Sequence, residues 1–171
     1  EQQDVLSSWT DALSGRMDKQ LVSRMLKVPD YGCVKDERHT TVNNVDESLQ
    51  KFFSIGGRNG WYYANTLWKI RGFLDKLAGG VGLRRGRKNQ DTVEAGETLD
   101  FWRVIYASKK DKRLLLYAEM KLPGEAWLEF RIDDHTLYQT ATFRPKGLLG
   151  RLYWYAMWPA HAVIFRGMIR R

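Results

Sequence analysis

The sequence has few of the residues that build disulfide frameworks and metal centres. Cys33 is the one cysteine among 171 residues, so no disulfide can form within the chain, and a reducing, cytoplasmic compartment is expected. Its neighbours include no histidine, so a nucleophilic role for this thiol lacks a base close in sequence. The histidines His39, His135 and His161 stand apart, without the spacing of metal ligands, and no metal site is expected.

Long hydrophobic runs are also lacking. The apolar stretch at residues 152–165 contains no acidic or basic residue besides His161, yet fourteen residues are too few to cross a bilayer unaided. Arg151 and Arg166 bracket the stretch and could reach the headgroups if it lay in a membrane interface. A helix buried against a sheet is the favoured interpretation, and membrane contact is the alternative.

Aromatic and basic residues are abundant. Aromatic residues make up 13% of the chain, which suggests a thick core or an aromatic-lined cavity. The hydrophobic fraction of 43% argues against intrinsic disorder. The formal net charge of +8 would attract an anionic partner, but no nucleic-acid-binding motif accompanies it, so nucleic acid is not an expected partner.

The first half of the chain is expected to be mainly helical. Residues 1–36 are interpreted as a helical arm or interdomain linker that ends in a turn, and the main domain is assigned to 37–171. A first strand is predicted at 37–43, followed by a short helix that Asn43 or Asn44 would cap and that ends at Phe53. A second helix is predicted over 61–77, and residues 79–98 are predicted to be mostly loop.

From Leu99 onward the apolar residues alternate with period two, which is typical of strands with one buried face. This pattern predicts four consecutive antiparallel strands with short turns at 99–106, 113–120, 125–132 and 137–143. A long helix over 148–170, kinked at Pro159, is predicted to follow. Strands bounded by helices indicate the α+β class.

Two groups of charged residues are candidate sites. Glu119 and Glu129 share a strand face with aromatic residues, and Asp100 lies beside them in the predicted sheet. If this face lined a cavity, these carboxylates could act as general acid or base. Pairing with Arg103 and Arg131, or a solvated outer face, is the alternative.

The other charged group is a basic loop. Arg84, Arg85 and Arg87 are interleaved with glycines and could bind an anionic group, although a mobile charged loop is the favoured interpretation.

Seven segments together resemble one known family. They are Gly-Gly-Arg-Asn-Gly-Trp-Tyr at 56–62, Arg-Gly-Phe-Leu-Asp-Lys-Leu at 71–77, Gly-Leu-Arg-Arg-Gly-Arg at 82–87, Asp-Phe-Trp-Arg at 100–103, Ala-Glu-Met-Lys-Leu-Pro-Gly at 118–124, Ala-Trp-Leu-Glu at 126–129 and Gln-Thr-Ala-Thr-Phe-Arg-Pro-Lys-Gly-Leu at 139–148. Over roughly residues 37–171 the chain resembles an uncharacterised bacterial domain. That domain is found C-terminal to NAD(P)-binding, nucleoside-diphosphate-sugar-epimerase-like Rossmann domains. It is grouped with the SRPBCC, or START-like and polyketide-cyclase-like, superfamily.

The resemblance implies a helix-grip fold, in which a curved antiparallel sheet wraps around a long C-terminal helix and two shorter helices follow the first strand. It also implies that residues 1–36 connect to a Rossmann domain of the same polypeptide. No G-x-G-x-x-G follows a predicted strand here, so NAD(P) would bind in that other domain and no cofactor is expected in this chain. The family provides no catalytic residues to carry over.

The resulting hypothesis is binding of an apolar or lipid-like molecule in a cavity of a few hundred cubic ångströms between helix 148–170 and the strands. The candidate ligand-binding residues are Trp61, Trp102, Arg103, Tyr117, Trp127, Gln139, Trp154, Trp158 and His161. The alternatives are a cyclase or dehydratase that uses the candidate carboxylates, and an interaction domain without a cavity. Carboxylates held only in ion pairs would favour the binding role, whereas one deep in a closed cavity with a raised pKa would favour the enzyme.

Overall fold

The computed structural model describes residues 27–56, 93–99, 101–119 and 121–169. These residues form an α+β domain with a curved antiparallel sheet and a long C-terminal helix. In chain order the elements are β1 (Val34–Thr41), α1 (Val45–Phe53), β2 (Thr98–Leu99), β3 (Trp102–Ser108), β4 (Arg113–Ala118), β5 (Gly124–Asp133), β6 (Thr136–Pro145) and α2 (Gly147–Ile169).

The sheet has six strands in the order β1-β6-β5-β4-β3-β2, and every neighbouring pair is antiparallel. Strands β2 to β6 follow one another across the sheet, which confirms the predicted meander. Strand β1 joins at the other edge, beside β6. A bulge between Val104 and Tyr106 in β3 adds one residue, and bulges of this kind increase the local twist of a sheet.

Alternation along the strands gives the sheet an inner face, which α2 covers, and an outer face. Leu116 and Leu128 are directly opposed on the inner face and are fully buried. They belong to a core cluster that also includes Ile164, Phe165 and Met168 of α2. The period-two pattern of the sequence therefore reflects the apolar inner face, although Leu115 and Trp127 on the outer face are buried as well.

Helix α1 begins at the predicted cap. The Asn44 side chain accepts a hydrogen bond from the backbone N–H of Glu47 at 3.2 Å, which satisfies one of the free donors of the first turn. At the other end, Phe52 and Phe53 are buried, and the Phe52 ring stacks on Phe130 of β5 with centroids 6.1 Å apart. This contact fixes α1 against the inner face.

Helix α2 starts close to the end of β6. Gly147 has a φ of 66°, a conformation that glycine adopts without strain. At Gly150 a β-carbon would contact the backbone carbonyl of Pro123 and lie 2.9 Å from the Cα of Pro145. The helix continues through Pro159 to Ile169. Among the described residues, no helix combines the length and apolar character that crossing a membrane requires.

Most element bounds agree with the predictions to within two residues, and the larger differences are at β1 and at β2–β3. Strand β1 covers 34–41 instead of 37–43, so residues 34–36 belong to the sheet and not to the arm. The segment predicted as one strand at 99–106 is divided into β2 and β3, because the chain turns back between Leu99 and Trp102, which pair with each other. The helix predicted over 61–77 and residues 1–26 lie outside the described part of the chain.

Candidate functional site

A cavity of about 440 Å³ lies between α1, the inner face of the sheet at β1, β5 and β6, and the C-terminal end of α2. It is called the Gln139 pocket here, after the side chain on its sheet wall. The cavity falls within the size range of small-molecule sites in proteins. Its apolar lining residues are Val42, Phe52, Ile55, Phe130, Leu137, Met168 and Ile169, and its polar ones are Thr40, Thr41, Asn43, Asn44, Glu47, Ser48, Lys51 and Gln139.

The apolar walls come from three elements that the core holds in place. Phe52 of α1 and Phe130 of β5 stack with their ring planes 12° apart, and both are buried. Ile55 and Val42 flank α1 in the chain, and Met168 closes the pocket from the last turn of α2. Because these residues belong to the main core cluster, the pocket has walls fixed by packing.

Gln139 is the polar residue of an otherwise apolar row. It lies on the inner face of β6 with Leu137, Ala141 and Phe143, and it is 1% exposed. Within the part of the chain that the structure describes, no group donates a hydrogen bond to its side-chain oxygen. A buried polar group without a partner costs about 1–3 kcal/mol, so this amide is available to a ligand group.

The charged residues next to Gln139 neutralise each other. Arg38 of β1 lies directly opposite Gln139 in the register. Its guanidinium donates to the two carboxylate oxygens of Asp36, at 3.0 Å from Nε and 2.8 Å from Nη2. The Asp36 side chain is 7% exposed. This two-point pairing leaves the sheet beside Gln139 without a net charge from β1.

The rim of the pocket consists of the first two turns of α1. Lys51 and Glu47 form an ion pair at 3.0 Å and are about half exposed. The Ser48 hydroxyl donates to the backbone carbonyl of Asn44 at 2.9 Å. The rim side chains therefore make local helix contacts. Thr40, Thr41 and Asn43 add further polar groups to the lining, and Gln139 is the buried one among the polar lining residues.

Between the middle of α2 and the sheet, side chains fill most of the space in which the cavity was predicted. The remaining volume there is about 40 Å³, enough for a few water molecules. Phe143 and Trp154 stack with centroids 5.6 Å apart. His161 contacts Trp154 at 5.5 Å and Phe165 at 5.3 Å between ring centroids. The larger space lies instead at the C-terminal end of the helix.

The structure separates the predicted ligand-binding residues into several groups. Gln139 lines the larger pocket, whereas Trp102, Trp127, Trp154 and His161 border the smaller one. Trp158 is 44% exposed and contacts the Trp154 ring at 5.9 Å. Trp61 lies outside the described residues.

Tyr117 and Trp127 face outward from the sheet. They lie opposite each other in β4 and β5, with ring centroids 5.4 Å apart and an edge-on geometry. The guanidinium of Arg144 is 5.8 Å from the Trp127 ring centroid and forms an ion pair with Glu125. Trp127 is 1% exposed, so this outer-face cluster is itself packed and does not add to the larger pocket.

The candidate carboxylates are held in ion pairs. Glu119 accepts a hydrogen bond from Nε of Arg103 at 2.7 Å, and Arg103 also donates to the backbone carbonyl of Gly96 at 3.0 Å. Glu129, on the outer face, accepts from Nε of Arg113 at 2.6 Å. Neither glutamate lines the Gln139 pocket.

The other charged candidates do not join this pocket within the described chain. Arg131, named as a partner of the carboxylates, places its guanidinium 5.2 Å from the Tyr138 ring centroid. Asp100 and the basic residues Arg84, Arg85 and Arg87 lie outside the described residues. Among the residues that are described, no group of three or more His, Cys, Asp or Glu side chains could hold a metal ion.

Comparison with known proteins places the chain in a family. The family model described as a protein of unknown function, DUF2867, matches residues 33–168. The chain belongs to this family. The DUF2867 match begins one residue before β1 and covers every strand of the described sheet. No curated protein matches the chain.

Two solved structures are similar at low sequence identity. A hypothetical protein from Helicobacter pylori has 12% identity and a TM-score of 0.45, over 84% of this chain and 94% of that one. DynU16, from the dynemicin biosynthetic locus, has 16% identity and a TM-score of 0.45, over 83% of this chain and 47% of its own length.

Proposed function

We propose that this DUF2867 domain binds a small amphipathic molecule in the Gln139 pocket. The observation that carries the proposal is a fully buried amide whose oxygen has no donor among the described residues, on the wall of a cavity of about 440 Å³ with both apolar and polar lining residues. The ligand would place an apolar body against the Phe52–Phe130 pair and a hydrogen-bonding group against Gln139.

In the free protein, the unpaired amide oxygen of Gln139 is unfavourable for folding. An apolar side chain at position 139 would match the rest of the inner face of β6 and would avoid the desolvation cost of an unpaired amide. A ligand hydroxyl or amide N–H that donates to Gln139 would offset this cost on binding. The pocket therefore favours a ligand with a polar group at its buried end over a pure hydrocarbon.

The wider proposal concerns the domain's context. In it, the domain is a helix-grip member of the SRPBCC superfamily that holds a lipid-like, quinone-like or polyketide-like molecule. It would present this molecule, in the cytoplasm, to an NAD(P)-binding Rossmann domain of the same polypeptide. The sheet order and the long C-terminal helix support the fold part of this proposal, and the sequence resemblance supports the rest.

A role as an independent cyclase or dehydratase has less support. Glu119 and Glu129, the described carboxylates proposed for acid–base chemistry, are each engaged by an arginine. Ion pairing of both glutamates favours ligand binding over catalysis as the role of the domain. The interaction-domain alternative requires a filled interior, which is the case beneath the middle of α2 but not at the Gln139 pocket.

The test compares two threonine-to-phenylalanine variants on neighbouring strands. Thr40 lies on the inner face and lines the pocket, whereas Thr140 lies on the outer face. We expect a naphthalene-sulfonate dye to bind the wild-type protein at one site and to be displaced by long-chain fatty alcohols. Thr40→Phe should remove this site because the ring occupies the cavity, and Thr140→Phe should retain it.

A second measurement is native mass spectrometry of the protein purified from its host. We expect a co-purified small molecule to be bound to the wild-type protein and absent from Thr40→Phe. Equal dye binding by both variants would show that the dye binds elsewhere. Stoichiometric binding by neither the dye nor any host molecule would leave the interaction-domain alternative.

A further inference from the structure

Helix α2 exposes a continuous apolar face on the side away from the sheet. Leu148, Leu152, Tyr155, Pro159 and Val163 are spaced by four, three, four and four residues, which places them on one side of the helix. All five are exposed, including Leu148 at 72% and Tyr155 at 71%. These five residues are called the apolar stripe.

The stripe is additional to the face that the fold uses. The opposite side of α2 buries Trp154, Ile164 and Phe165 in the core. A helix that covers one sheet needs only one apolar face, so core packing does not explain the stripe. Contiguous exposed apolar surfaces of this kind mark interaction sites.

The charges around the stripe have a single sign. Helix α2 contains no aspartate or glutamate, while Arg151 lies near its start and Arg166 in its last turn. Both arginines and the preceding Lys146 are exposed. The full chain has a formal net charge of +8. An apolar strip bracketed by cations complements a layer of anionic headgroups above hydrocarbon.

We propose that α2 lies in the interface of a membrane that contains anionic lipids, with the apolar stripe in the acyl boundary and the flanking cations at the phosphates. From Leu148 to Val163 the stripe is about 22 Å long at 1.5 Å per residue. Tyr155 and the half-exposed Trp158 are residue types enriched at such interfaces.

Pro159 fits this orientation. A proline has no N–H, so the backbone carbonyl of Tyr155 loses its usual intrahelical donor on the exposed side of the helix. Water reaches the headgroup region and can satisfy that carbonyl, whereas the dry hydrocarbon centre cannot. The helix therefore suits the interface better than a spanning position.

A second copy of the chain suits the stripe less well. In an antiparallel pair of α2 helices, Arg166 of each copy would approach Arg151 and Lys146 of the other. In a parallel pair each arginine would approach its own counterpart. Like charges oppose each other in both arrangements, with no acid on α2 to offset them.

The experiment is co-sedimentation of the full 171-residue chain with vesicles, of phosphatidylcholine alone or of phosphatidylcholine with about one third phosphatidylglycerol. Binding is expected only to the mixed vesicles and should weaken as salt is raised, because the attraction is screened. The chain's own tryptophan fluorescence should shift to shorter wavelength on binding, since Trp158 enters a less polar environment.

Matched variants locate the contact. Arg166→Gln should weaken binding to the mixed vesicles about five-fold, since one basic residue near an anionic surface contributes about that factor. Leu152→Ser should weaken it about ten-fold by removing apolar contact. The controls Arg131→Gln and Tyr138→Ser alter exposed outer-face residues, on the opposite side of the sheet from α2, and should leave binding unchanged.

Three results would overturn the proposal: no sedimentation with the mixed vesicles, equal losses for the stripe and outer-face variants, or a concentration-dependent dimer that Leu152→Ser dissociates while the vesicles bind nothing. All altered side chains are at least partly exposed, and thermal unfolding of each variant will check that it folds as the wild type does. Vesicle binding tests the surface of α2, whereas dye binding tests the Gln139 pocket. Either experiment can therefore fail while the other succeeds.

Discussion

Replacement of Gln139 by methionine should make the free protein more stable and its pocket less able to bind. The two side chains have similar length and shape, so the change removes the buried amide with little change in volume. The amide is 1% exposed, and no described group donates to its oxygen. An unpaired buried polar group costs about 1–3 kcal/mol, so we expect the free energy of unfolding to rise by about 1–2 kcal/mol.

The assay is thermal and urea unfolding of the purified protein without added ligand. For a domain of this size, 1 kcal/mol corresponds to about 2–4 °C in Tm, so Gln139→Met should unfold several degrees higher. The control is Leu137→Met, which introduces the same side chain two residues earlier on the same face of β6. It replaces no polar group and should be neutral or slightly destabilising.

The binding measurement completes this test. Affinity for a hydroxylated ligand such as a long-chain alcohol should fall about five-fold in Gln139→Met, the equivalent of one hydrogen bond. A loss of stability of more than about 1 kcal/mol would refute the reasoning, since it would mean that the amide is already satisfied in the folded protein. Higher stability with unchanged alcohol affinity would show that the amide does not contact the ligand.

Three further predictions test the surrounding structure. Gly150→Ala should destabilise the protein by about 1–3 kcal/mol in urea unfolding, because the new methyl group meets backbone atoms of Pro123, between β4 and β5, and of Pro145, at the end of β6, despite the better helix propensity of alanine. Glu119→Gln should destabilise the protein by about 1.5–3 kcal/mol, because it replaces a charged hydrogen-bond partner of the largely buried Arg103 with a neutral one, while dye binding per folded molecule stays unchanged. If Glu119 instead had a catalytic role or contacted the ligand, Glu119→Gln would lose activity or ligand binding while its free energy of unfolding stayed normal. The Tyr106 hydroxyl donates a hydrogen bond to Asp111 in the β3–β4 hairpin and so lowers the pKa of this carboxyl group. The contribution of the pair to folding stability is therefore complete above the ordinary aspartate pKa, and it is lost as the pH falls through the lowered pKa. Carboxyl NMR titration should show a return toward the ordinary pKa in Tyr106→Phe, and an unchanged titration would contradict this cause.

The sequence was informative about the sheet wherever burial is one-sided. Leu114, Leu116, Leu128 and Phe130 recur at every second position because one face of β4 and β5 lies in the core cluster shared with α1 and α2. On the other face, the buried Leu115 and Trp127 are interspersed with charged residues. The start of β1 was missed because both of its faces carry polar residues, as at Asp36. The alternation rule had no apolar signal to detect there.

The position of the pocket could not be predicted from the abundance of aromatic residues. Rings such as Phe143, Trp154 and His161 pack on one another and fill the space beneath the middle of α2. The larger pocket depends on how α1 and the last turn of α2 are placed over the sheet, which local sequence patterns do not encode. One of the predicted ligand-binding residues does line this pocket, namely Gln139, a polar residue in a row of apolar ones.

The buried polar group of the pocket suits hydrogen bonding to a ligand and not acid–base catalysis. Proton transfer requires a group that changes its protonation state, and the amide of Gln139 does not titrate. Glu47 and Lys51, the ionisable side chains among the described lining residues, lie at the exposed rim and pair with each other at 3.0 Å. A buried amide on the wall of a ligand cavity would instead distinguish ligands by whether they bring a hydrogen-bonding group to it. A site built to form such a bond rejects analogues that lack the group far more strongly than it rejects a missing methylene. Comparison of a long-chain alcohol with the alkane of equal length therefore measures directly whether Gln139 selects the ligand.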